Sequence, residues 1–173
     1  MRLPAFSFAR GSRHPDVSLR MTPPPPLPTS ASEQAGPVLF FDGECGLCNR
    51  LVRFLLRMDR AARLRFARLQ GVTAQGYLRA HGLPTVDFDT LVFVPDWSQR
   101  DRPQHLLRTA GVIAALRAID GRWARTLATF IGVFPPVVRD AAYRFVGRWR
   151  YRIFGPWRPQ PLPRAEWAAR FLT

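Results

Sequence analysis

Between Val38 and Met58 the apolar positions change from a continuous run to a helical repeat. VLFF, Val38 to Phe41, lies between Pro37 and the turn residues Asp42 and Gly43, which suits a strand buried on both faces. Leu47, Leu51, Phe54, Leu55 and Met58 then recur at helical spacing, with Asn49, Arg50, Arg53 and Arg57 on the other side, predicting an amphipathic helix that ends near Asp59. LRFARL, Leu64 to Leu69, predicts a second strand, and a right-handed crossover makes the two strands parallel. Gly71, Gly76 and Gly82 loosen the next stretch around a short helix near Ala74 to Ala80. DTLVFV, Asp89 to Val94, predicts a third strand, closed by Pro95, Asp96 and a polar loop through Pro103.

Beyond that loop the pattern is helical. Thr109 can cap a helix through Ile119, Trp123 to Val133 supports another, and Pro135 and Pro136 seed a third from about Val137 to Tyr151 or beyond. Gly155 ends it, and PWRPQPLPR crosses the surface before a last turn in AEWAARFL. No internal repeat is visible. At the other end, eight of the 17 prolines precede residue 38, and Thr22 to Pro37 can form neither helix nor sheet interior. The expected organisation is a disordered Pro-rich extension over 1–36, one folded domain over 37–155 and a Pro-rich tail with a short helix over 156–173. For residues 1–20 the expectation is either a start at Met21 or a disordered extension, rather than a targeting segment.

Composition narrows the function. With 173 residues and 47% apolar content, one domain with a real core is expected. The net charge of +14 would suggest a polyanionic partner, but all 26 basic residues are arginine and they are spread along the chain, so no specific nucleic-acid site is expected. Two cysteines exclude a disulfide scaffold. No run of about 18 apolar residues predicts a membrane span. The expectation is a soluble, cytoplasmic protein, in which a close cysteine pair points to catalysis or metal binding.

Those cysteines, Cys45 and Cys48, stand in FFDGECGLCN at the first strand-to-helix junction, the position a thioredoxin-like core requires. Two intervening residues at a helix start allow a disulfide to close. Cys45, at or just before the helix N-terminus, would have its thiolate stabilised by unpaired N–H groups and would attack a substrate disulfide. Cys48, one turn in and less exposed, would resolve the mixed disulfide. Gly46 would keep the nucleophile accessible. Asp42 has two readings, a proton acceptor for Cys48 during resolution or a cap on the turn. A zinc site would need more ligands than one CxxC supplies. His14, His81 and His105 lack ligand-pair spacing, so neither metal nor organic cofactor is expected.

With Asp42, Cys45 and Cys48 in place, VLFFDGECGLCNRLVRFLLRMDRAARLRFARLQG resembles the DCC family of thiol-disulfide oxidoreductases, named for a DxxCxxC signature. DTLVFV, LRTAGVIAAL and FPPVVRDAAYRFVGRWRYRIFG are also similar, so the resemblance spans about Val38 to Gly155. It implies an α/β, thioredoxin-like core (β-α-β, then β) with a helical C-terminal half, and protein-disulfide reductase chemistry at Cys45 and Cys48. The implied partners are a disulfide-containing protein or small thiol substrate and an unidentified dithiol donor. Three departures stand out. GPWRPQPLPR lacks a cysteine that many relatives carry there, Thr109 and Ala110 replace a serine and an acidic residue, and Pro84 is the nearest counterpart of the thioredoxin cis-proline.

The last helix supports a competing function. Arg144, Arg148 and Arg152 repeat at four-residue spacing among Tyr143, Phe145, Trp149, Ile153 and Phe154. Such a face suits a non-enzymatic basic adaptor for an anionic surface or protein partner. The plainer expectation packs the aromatics on the core and solvates the arginines.

Overall fold

A computed structural model describes residues 35–172. Expectations for residues 1–34, including the start at Met21, lie outside the described residues. Three strands form in the predicted order, β1 (Val38–Phe41), β2 (Arg65–Arg68) and β3 (Val92–Val94); β4 (Leu106–Leu107) and β5 (Phe171–Leu172), where no strand was expected, complete the sheet. The helices are α1 (Gly46–Met58), α2 (Val72–Ala80), α3 (Arg108–Ala118), α4 (Arg122–Val133) and α5 (Pro136–Phe154). The sheet order is β4-β3-β1-β2-β5, with β1 parallel to β2 and antiparallel to β3. This arrangement, with the dithiol where β1 runs into α1, is a thioredoxin-like core followed by a helical C-terminal half.

All four residues of β1 are buried because alternate side chains enter different cores. Leu39 and Phe41 join Phe66, Phe93 and the inward residues of α1, α3 and α4. Val38 and Phe40 join Val94, Tyr77 of α2 and Trp97. A fully buried strand stabilises both layers, so the apolar run needs no polar face.

Local signals fail in three places for physical reasons. The third strand begins at Val92 rather than Asp89, because the Leu91 N–H donates to the Tyr143 hydroxyl (3.0 Å). Thr109 caps nothing: Leu107 occupies the N-cap of α3, and the Thr109 hydroxyl donates to Asp140. On α5 the expected partition holds only in part: Arg144, Arg148 and Arg152 are solvated as expected. Phe145, Trp149 and Ile153 face solvent, while Tyr143 and Arg150 turn inward.

The segment beyond Gly155 is docked. Arg53 donates to the carbonyls of Gln160 (2.6 Å) and Pro161 (3.1 Å). Trp167 enters the core beside Phe66, and Arg170 is buried in an ion pair with Asp59 while also bonding the Leu64 carbonyl. Asp59 thus ends α1 and anchors the C-terminus, which lets Phe171 pair in parallel with Phe66.

Candidate active site

Asp42 and Gly43 turn the chain out of β1 into Cys45, whose extended backbone (φ −85°, ψ 124°) makes it the N-cap of α1. This is where the sequence places it. The turn is held by Asn49, which lies on the helix's buried side rather than the predicted polar side and donates to the carbonyls of Gly43 (2.9 Å) and Cys45 (2.9 Å). Across the sheet, the Gly43 N–H donates to the Gln70 side-chain carbonyl (3.0 Å). The loop is therefore fixed from two sides.

Both thiols are free, and Cys48 hydrogen-bonds the Cys45 sulfur. That bond is the main cause of a Cys45 pKa lowered to about 6, against the opposing effect of burial; backbone N–H groups of Cys48 and Leu47 and the Arg150 charge assist. Cys48 moves the other way: donating to Cys45 and being buried both hold it protonated. The pair therefore shares one readily lost proton, with the thiolate on Cys45.

Behind the dithiol lies a polar cluster. Asp42, 3% exposed, accepts on Oδ1 from the Glu44 N–H (3.0 Å) and Gln70 (2.8 Å), and on Oδ2 from Arg150 (3.2 Å) and the Tyr151 hydroxyl. The turn-capping role is thus present. With both oxygens already accepting twice, the carboxylate's lone pairs are taken up by groups that hold the turn and α5. Arg150 also donates to the Phe88 carbonyl, and its Nε is buried without a hydrogen-bond partner among the described residues. Burial opposes the Arg150 charge, but Cys48, Cys45 and Asp42 outweigh it and hold the guanidinium ionised. Burial, with help from Asp42, raises the Tyr151 pKa, so its hydroxyl stays a donor. A cleft of about 540 Å³ opens beside this cluster, lined by Asp42, Glu44, Gln70, Arg150 and Tyr151 with the Thr85–Phe88 loop.

Access to the dithiol is opposite to expectation. Cys45 is 0% exposed and Cys48 is half-buried. The cover is the strap following α5: Cys45 pairs with Pro156 as an antiparallel bridge, the Gly46 N–H donates to the Gly155 carbonyl (3.1 Å), and the Trp157 N–H donates to the Glu44 carbonyl (2.7 Å). The first N–H groups of a helix lack internal partners, and here one is satisfied by the strap. Gly155 turns the chain with φ +65°, a conformation glycine adopts freely. Gly46 does not keep Cys45 open, as expected, but lets the strap approach: a Cβ there would stand 2.6 Å from the Phe154 carbonyl oxygen. Gly46→Ala is therefore expected to lift the strap, speed alkylation of Cys45 severalfold and cost about 1–3 kcal/mol of stability. An unchanged alkylation rate would show that the strap does not limit access.

The other candidates lie elsewhere. His14 is outside the described residues. His81 and His105 come together, with ring centroids 5.9 Å apart, but His81 bonds the Arg100 carbonyl (2.7 Å) and His105 the Tyr77 hydroxyl (3.4 Å). No group of three or more metal-ligating side chains converges among the described residues. No peptide bond among them, including that of Pro84, is cis. Sequence reasoning missed Gln70, Asn49, Arg150 and Tyr151. The available signal was Arg150 itself, on the inward row Tyr143, Gly147, Arg150 and Phe154, where a charge needs a buried partner.

The sequence profile of the DCC1-like thiol-disulfide oxidoreductase family matches residues 39–156. The uncharacterized protein YuxK of Bacillus subtilis is 37% identical over 135 residues, covering 78% of this chain and 93% of its own. A DCC family protein of Arabidopsis thaliana, described as chloroplastic, is 32% identical over 123 residues, covering 71% of this chain and 67% of its own. No solved structure matches the chain.

Proposed function

The chain belongs to the DCC1-like thiol-disulfide oxidoreductase family, and on that premise we propose that Cys45 and Cys48 form a working dithiol couple acting on disulfides of proteins or small thiols. The observation that carries this reading is the pair of free thiols at the start of α1, Cys45 at its N-cap and Cys48 one turn in, with the Cys45 pKa lowered to about 6. Once the Gly155–Trp157 strap moves aside, the Cys45 thiolate attacks one sulfur of a substrate disulfide. A Cys45–substrate disulfide forms and one substrate thiolate leaves. Cys48, losing its proton to solvent or to the departing thiolate, then attacks the Cys45 sulfur, closing the Cys45–Cys48 disulfide and releasing the second substrate thiol. Two electrons have passed to the substrate, and a dithiol donor returns them.

In this reading Asp42 is a positioning residue that holds Arg150 behind the thiols and caps the turn, the second of the two roles that its place in the sequence allows, rather than the proton acceptor for Cys48. The contacts that favour the Cys45 thiolate also favour the reduced couple, which raises its potential above that of an unassisted dithiol. The test is a titration in glutathione buffers of defined ratio, with the disulfide fraction read by alkylation and mass spectrometry. A single two-electron transition that disappears in Cys48→Ser supports the couple, and its midpoint gives the direction of electron flow. Failure to form an intramolecular disulfide at any ratio would overturn it.

A further inference from the structure

Helices α4 and α5 each carry two apolar rows, and only one row of each faces the protein. On α4, Ala124 and Ala128 are buried, while the neighbouring row Trp123, Leu127, Phe130 and Phe134 is exposed, Trp123 at 78% and Phe130 at 63%. On α5 the inward row is Tyr143, Gly147, Arg150 and Phe154, and the outer residues Val138, Phe145, Trp149 and Ile153 are exposed, Phe145 at 65% and Ile153 at 67%. Phe130 and Phe134 of α4 and its C-terminal end, with Val138 and Val146 of α5, line an almost wholly apolar groove of about 420 Å³ between the two helices. So extensive an apolar surface is unusual on a protein that meets only water.

Charge identifies the occupant. Residues 121–155 contain seven arginines and one acidic residue, Asp140, a balance of +6. Arg122, Arg125, Arg144, Arg148 and Arg152 are exposed, and none forms an ion pair among the described residues. Arg152 instead lies over the Trp149 ring, 5.4 Å from its centroid. A second copy of this face would set these five exposed arginines against the same five, which opposes self-association. An anionic bilayer surface complements both features: exposed Trp and Phe enter the headgroup boundary while arginine stems cover apolar surface and their heads reach phosphate. No helix among the described residues is long and apolar enough to cross a membrane, so the helices would lie on the surface.

We infer that the α4–α5 face is an interfacial membrane-binding surface for anionic phospholipid. It is independent of the dithiol, although α5 also supplies Arg150 and Tyr151, so lipid contact would bring the site close to the bilayer.

The test is flotation of the full chain with vesicles of phosphatidylglycerol and phosphatidylcholine, against phosphatidylcholine alone, at low and high salt. The paired variant Phe130→Ser with Phe145→Ser removes apolar surface without touching charge or core, and its unfolding midpoint is measured alongside. The expected result is binding to the anionic vesicles that survives high salt in part and falls about tenfold or more in the paired variant. Quenching of tryptophan fluorescence by brominated acyl chains should accompany it. Binding that salt abolishes and that the variant leaves unchanged would be adhesion of a basic protein, and would overturn the inference. So would a lipid-free dimer that the same variant dissociates.

Discussion

Cys45→Ser is expected to lower disulfide exchange by at least about a thousandfold, because serine can neither ionise near neutral pH nor form the mixed disulfide. Cys48→Ser should retain the first attack and accumulate a covalent Cys45–substrate species visible by mass spectrometry. The strap gives this pair of variants added weight, since the structure places the stabilised thiolate on the covered sulfur and leaves the protonated thiol more open. If Cys45→Ser kept a substantial fraction of the activity while Cys48→Ser lost it, Cys48 would be the nucleophile and the assignment would reverse. The pH profile supplies a second check. Alkylation of Cys45 in the reduced protein should rise with a midpoint near 6, and Cys48→Ala should move that midpoint upward by removing its largest cause.

Arg150→Met is expected to destabilise the fold by about 3–5 kcal/mol, since it leaves Asp42 buried without its cation. Urea unfolding measures this. The double variant Asp42→Leu with Arg150→Met should recover much of the loss, because no uncompensated charge remains, but should not restore the Cys45 titration. Cys45 makes the pH dependence specific. Its pKa falls from 9.0 in the unfolded chain to about 6 in the fold, so the unfolded chain binds more protons between those values. Stability from this group is therefore complete above pH 9 and is lost as pH falls through 6. Cys48, held protonated, adds no slope in that window. Removing Arg150 should narrow the window from below. An Arg150→Met protein of wild-type stability with an unmoved Cys45 midpoint would show that the buried pair neither holds the site together nor tunes it.

Local patterns in the chain determine β1, α1 and β2. Four consecutive apolar residues between turn residues leave little alternative to a doubly buried strand, and the helical repeat after Cys45 makes α1 a helix, although its orientation differs from the predicted stripe, with Phe54 exposed and Asn49 buried. The spacing of Asp42, Cys45 and Cys48 at that junction was equally legible, because the chemistry and the turn occupy the same few residues. The tertiary structure alone decides what surrounds the dithiol. Arg150 and Tyr151 reach Asp42 across 108 and 109 residues, and their burial depends on a carboxylate that no local hydropathy pattern registers. The same holds for the strap on Cys45 and for Arg170, which Asp59 draws into the interior at 111 residues' separation. Hydrophobic periodicity records which side of an element avoids water; a buried charge or a satisfied helix end depends on a partner brought there only by the folded chain.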